Sequence, residues 1–70
     1  MVDMVPVTSS NVKAIGYDAE ERELHVHFHS GGRYIYEGVL HDAHRALMAA
    51  PSVGSHLNEH IKGRHRHRKA

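Results

Sequence analysis

Three histidines at every second position, His25, His27 and His29, are the residues of this chain whose type and spacing most directly suggest chemistry. On a strand, side chains two apart share a face. The three imidazoles would therefore project side by side and could hold a transition metal such as zinc or nickel. His41 with His44, and His56 with His60, stand at helical spacings that could chelate in the same way. No cysteine and no H-E-x-x-H arrangement accompanies them, and alternating histidines on a wet strand serve equally as a plain polar face. Metal binding is therefore ranked below the readings that follow, and no cofactor is expected.

Ser9, Ser10 and Asp18, with the histidines, supply hydroxyls, acids and bases, but G-x-S-x-G, P-loop and G-x-G-x-x-G patterns are all absent. "SGGRY" reads as a hairpin turn rather than a phosphate cradle. A small sheet with two short helices also leaves little room for a pocket of ~300 Å³ or more. The chain is not expected to be an enzyme.

Electrostatics points elsewhere. Lys62, Arg64, Arg66, Arg68 and Lys69 crowd the last nine positions with no acid among them, whereas residues 1–61 carry four bases against eight acids. The formal charge of +1 thus averages a body of −4 and a tail of +5. An acidic body does not draw phosphates by its general field. Nucleic-acid contact would fall to the tail, joined by Lys13, Arg33 and Arg45, with His65 and His67 as a reserve of charge at low pH.

These side chains need a scaffold. Seventy residues make one small domain, burying only about 60% of its unfolded surface. The absence of cysteine excludes a disulfide framework and fits a reducing, cytoplasmic setting. No apolar run approaches the ~18 residues of a membrane span, so no membrane association is expected. "NVKAIGYD" reads as a strand with Ile15 and Tyr17 on one face and Val12 and Ala14 on the other. "LHVHFH" alternates strictly, Leu24, Val26 and Phe28 opposite the histidines. "RYIYEGV" is a third strand, and short connections make the three an antiparallel meander. Past Gly38 the period becomes helical through Val39, Ala43, Leu47 and Ala50, until Pro51 stops it. Ser52 caps a second, shorter helix bearing Val53, Leu57 and Ile61, and Gly63 ends it. The expected fold is α+β: a three-stranded antiparallel β-meander followed by two short α-helices packed on one face (βββαα). Residues 1–10 form an N-terminal segment, 11–63 the domain and 64–70 a disordered basic tail.

The turn before Tyr34 decides whether the tyrosines face water or core. A loop of two or four residues would set Tyr34 and Tyr36 beside His27 and His29. A three-residue loop Ser30-Gly31-Gly32 would pair Phe28 with Tyr34 and Val26 with Tyr36. With one phenylalanine and no tryptophan, the core lacks volume unless tyrosines supply it. Each buried ring is worth on the order of 2–3 kcal/mol. The odd loop is expected, with Phe28, Tyr34 and Tyr36 structural and the imidazoles opposite. The inner set is then Ile15, Tyr17, Leu24, Val26, Phe28, Tyr34, Tyr36, Val39, Ala43, Leu47, Leu57 and Ile61.

The stretches "SSNVKAIGYD", "LHVHFHSGGRYIYEGV" and "PSVGSHLNEHIKG" together resemble the KTSC domain, named for the carboxy-terminal extension of some lysyl-tRNA synthetases and also found as free-standing bacterial and phage proteins. The resemblance runs from about Ser9 to Gly63. Its most specific element is Y-x-Y, here Tyr34 and Tyr36, supported by Ser9, Ser10, Asn58 and Ile61-Lys62-Gly63. Leu40 stands where the family usually opens its helix with proline. What the resemblance implies is the fold, and an association with RNA through the translation machinery.

Two functions stay open at this level. One is a non-catalytic RNA-associated module acting through the tail. The other is a protein-binding regulator of the transcription or translation machinery, using the histidine face with Ile35, while the free edge of the third strand could dimerise. The chain is expected to be a monomer or a weak homodimer.

Overall fold

The structure, a computed structural model, describes residues 2–70. Five antiparallel strands lie in chain order: β1 (Val5–Pro6), β2 (Val12–Asp18), β3 (Glu23–Phe28), β4 (Arg33–Tyr36) and β5 (His67–Lys69). Between β4 and β5 run α1 (His41–Ala49), α2 (Val53–His56) and a π turn (Leu57–Ile61). The α+β class and the antiparallel meander hold, but the sheet gains a strand at each edge. No helix among the described residues is long and apolar enough to cross a membrane.

One side of the sheet meets the helices. Ile15, Leu24, Val26 and Tyr36 from the strands close on Val39, Leu47, Val53, Leu57 and Ile61, all buried. Tyr17, Phe28, Tyr34 and Ala43 pack around this centre partly buried. The whole expected inner set therefore lies on the helix side. Val12 is the exception to the expected faces, because it too is fully buried. The register slips between Val12 and Ala14, and this bulge at Lys13 turns Val12 inward while Ala14 stays outward. Strict alternation hid it.

The β3–β4 hairpin pairs Leu24 with Tyr36 and Val26 with Tyr34, two residues along from the expected pairing. The amide of Gly31 donates to the Phe28 carbonyl, and the amide of Phe28 to the Gly32 carbonyl. The loop is thus His29-Ser30-Gly31, with Gly31 at φ 99°. A three-residue loop takes its left-handed residue last, so Gly31 belongs at the end of the loop and not in its middle. Because the loop keeps an odd length, both phenols still face the helices.

Helix α1 starts after Leu40, which is half exposed with φ −74° and ψ 156°. That φ is one a proline would adopt, so the leucine leaves the helix start in place. Ala50 before Pro51 is extended. Helix α2 is capped by the Ser52 hydroxyl, which accepts from the Ser55 amide.

The expectation of a disordered tail and of a separate 64–70 segment does not survive. β5 pairs with β4, Tyr34 opposite Lys69, Ile35 opposite Arg68 and Tyr36 opposite His67. It occupies the third-strand edge that had been open to dimerisation. The charge run had no apolar periodicity to betray a strand. Its ordering comes from backbone pairing and from acids on β3 and the end of β4. At the other edge, β1 is only two residues and contains Pro6, tolerable at a sheet margin. Residues 2–4 lie across the outer face: a Cβ on Gly16 would sit 2.5 Å from Val2 Cγ1 and 2.6 Å from Met4 Sδ. Ile35, opposite Arg68, is only 9% exposed, so part of the face proposed for a protein partner is covered.

Candidate nucleic-acid interface

Strand alternation sorts the tail. His67 and Lys69, opposite Tyr36 and Tyr34, take the helix side, and Arg68, opposite Ile35, takes the outer side. There Arg68 donates from Nη1 to Glu37 Oε2 at 2.9 Å and from Nη2 to Glu23 Oε2 at 2.8 Å. These bonds, Glu23 before Glu37, raise its pKa above the ordinary arginine value. Arg68 is therefore a fastener of the sheet, and its place among the phosphate-binding residues is withdrawn. His65 is also engaged: its Nδ1 lies 3.0 Å from the Glu37 carbonyl oxygen.

The helix-side half of the tail closes a groove of about 430 Å³ lined by Phe28, Ser30, Tyr34, Tyr36, Lys62, Gly63 and His67. Phe28 and Tyr34 meet edge to face with ring centres 5.8 Å apart. The His67 ring stands 5.9 Å from Tyr34 and 5.5 Å from Tyr36. The Lys62 ammonium sits 5.0 Å from the Phe28 ring centre, within cation–π range. Phe28 and Tyr34 are half-buried, whereas Tyr36 keeps 3% exposure. Burial first, then the neighbouring Tyr34, pushes the Tyr36 hydroxyl above the usual phenol value. The Y-x-Y pair thus divides its labour, Tyr36 filling the core and Tyr34 the mouth of the groove.

Lys62 reaches this position because the chain widens before it. Its amide donates to the Leu57 carbonyl five residues back at 2.8 Å, the hydrogen bond of a π turn. Leu57 and Ile61 stay in the core, and Lys62 leaves the helix beside Phe28. Sequence spacing held no sign of this juxtaposition, nor of Glu23 and Glu37 as partners of Arg68.

The other sequence candidates scatter. Lys13 and Arg33 lie near His27 on the outer face, where burial, then Arg33, then Lys13 and His29 lower the imidazole pKa. Arg45 on α1, and Arg64 and Arg66 beyond the π turn, are exposed. Of the histidine run, His25 and His27 share the outer face. His29 falls in the hairpin loop, where its Nε2 meets the Ser9 carbonyl at 3.0 Å. Nε2 of His25 is enclosed without a hydrogen bond, 3.8 Å from Glu23 Oε1. Among the described residues no three imidazole or carboxylate side chains converge on one point, so the run does not assemble as a metal cradle. His41 and His44 are also spoken for: both rings stack on Tyr17, at 6.2 and 4.5 Å.

The serine pair has a structural task. Ser9 Oγ accepts from the amides of Asn11 and Val12 and donates to Asn11 Oδ1. A Cβ on Gly54 would come 2.7 Å from Asn11 Oδ1 and 3.1 Å from Ser9 Oγ. This turn is what α2 rests on.

The KTSC family model matches residues 8–65, which include the Ser9 turn, the tyrosine hairpin and the π turn. The chain belongs to the KTSC family. The crystal structure of a KTSC domain protein from Yersinia pestis superposes with a TM-score of 0.96 at 38% identity, covering 100% of this chain and 99% of that one. An uncharacterized protein of Stutzerimonas stutzeri is 41% identical over 61 residues, 87% of this chain and 86% of the relative. A protein of Tsukamurella paurometabola is 40% identical over 63 residues, 90% of this chain and 94% of the relative. The match to the Yersinia KTSC domain over the full chain extends the shared fold through β5, past the limit of the family model.

Proposed function

We propose that this KTSC domain is a non-catalytic module that binds single-stranded RNA through the Phe28–Tyr34–His67 groove. The observation that carries the reading is the pairing of two half-exposed rings with the Lys62 ammonium 5.0 Å from one of them. Aromatic surfaces stack on any base, at about 1–3 kcal/mol each, and flanking cations hold the phosphates. Lys62 and Lys69 supply that charge on the same side of the sheet as Tyr34. The ligand is single-stranded because a duplex offers no free base faces to the rings. Regulation of a protein partner is the less favoured reading, since β5 holds the third-strand edge and residues 2–4 cover the opposite face at Gly16.

The test is fluorescence anisotropy with labelled single-stranded and duplex RNA of equal length, at low and high salt. The reading expects preference for the single strand, affinity falling as salt rises, and loss of affinity in Lys62→Glu and Lys69→Glu. Equal affinity for duplex, or unchanged binding by both variants, overturns it.

A further inference from the structure

We propose that His56 and His60 form a chelate for a divalent transition-metal ion, copper(II) above nickel(II) and zinc(II). His56 ends α2 and His60 lies in the π turn, so the two point from one helical face. Their ring centres are 4.4 Å apart with planes tilted by 36°. The observed spacing brings the two rings close enough for one ion to meet a nitrogen of each.

The other histidines sharpen the assignment. His29 and His65 have ring nitrogens at backbone carbonyls. His41 and His44 lie on Tyr17, and His67 lies between two tyrosines. His25 faces Glu23, and His27 is flanked by Arg33 and Lys13, which repel a cation. Among the described residues, His56 and His60 are the pair with rings in contact and no hydrogen bond on their nitrogens. An acid stands close by: Glu59 Oε2 lies 3.9 Å from His60 Nε2, and its charge favours a cation there. Two imidazoles completed by water make an open coordination sphere suited to the tighter-binding end of the divalent series. Such an ion would also clip the passage from α to π hydrogen bonding that lies between its ligands.

The experiment is calorimetric titration of the full chain with the chlorides of copper(II), nickel(II) and zinc(II), compared with His56→Gln, His60→Gln and the control His65→Gln/His67→Gln. Expected are one equivalent bound, tightest for copper, a copper spectrum with nitrogen ligation, and thermal stabilisation by the metal. Either single substitution should weaken binding by about 10–100-fold, and the control should leave it unchanged. Unchanged affinity in His60→Gln, or loss of the site in the control, overturns the proposal. Because the groove variants Lys62→Glu and Lys69→Glu retain both imidazoles, failure of RNA binding and failure of metal binding are read separately.

Discussion

Arg68 Nη2 lies 2.8 Å from Glu23 Oε2, a contact that reaches across β4 to join strands that are not neighbours. With Glu37 on the other nitrogen, it ties the fifth strand to the sheet more firmly than a three-residue ladder could. Arg68→Ala should leave the body folded while the amides of residues 67–69 lose protection from hydrogen exchange. Both carboxylates are partly wet, so salt should shrink the difference between variant and parent. Unaltered exchange at β5 would show that the backbone pairing alone holds the strand.

The two tyrosines should respond differently to truncation. Tyr36→Ala empties a buried site and should cost about 3–5 kcal/mol, enough to threaten so small a domain. Tyr34→Ala removes a ring already half in water and should cost about half as much. Urea denaturation measures both. Equal losses would mean that Tyr34 is as much a core residue as its neighbour.

Acid should loosen α1. The His44 ring is stacked on Tyr17 with Nδ1 enclosed and unpartnered. Burial first, then His41, lowers its pKa from 6.5. Between the unfolded value and the lower folded one, the unfolded chain holds more protons. Stability should therefore fall as pH drops below 6.5 and level off beneath the folded pKa. His44→Phe keeps the stack without titrating. Its stability measured across this window should slope less than the parent's, and an identical slope would remove His44 from the account.

Gly31 closes the hairpin at φ 99° with open space where a Cβ would stand. Gly31→Ala should cost about 1–2 kcal/mol through backbone conformation alone, and Gly31→Asn less. A neutral alanine would mean that the loop relaxes into another turn.

Alternation in "LHVHFH" and the volume needed by a one-phenylalanine core suffice to place the tyrosines on the helix side, and Pro51 and Ser52 mark the helix boundaries. What stayed hidden has a common cause. The bulge at Lys13, the π bond from Lys62 to Leu57 and the docking of Arg68 between two acids are long-range or non-periodic events. Each shifts a register by one residue or uses charge where pattern reading expects apolar spacing. The groove inherits this: Phe28 and Tyr34 were legible, but Lys62 and His67 reach it only through the π turn and the fifth strand.

That fifth strand changes the meaning of a common manipulation. Cutting the chain after Gly63 would not simply discharge it. The cut would strip His67 from beside both phenols, strand Glu23 and Glu37 without their cation, and bare the amides and carbonyls of β4 to any passing copy. Oligomerisation or precipitation of such a fragment would report an unsealed margin, and lost RNA affinity in it would say nothing of phosphate attraction alone.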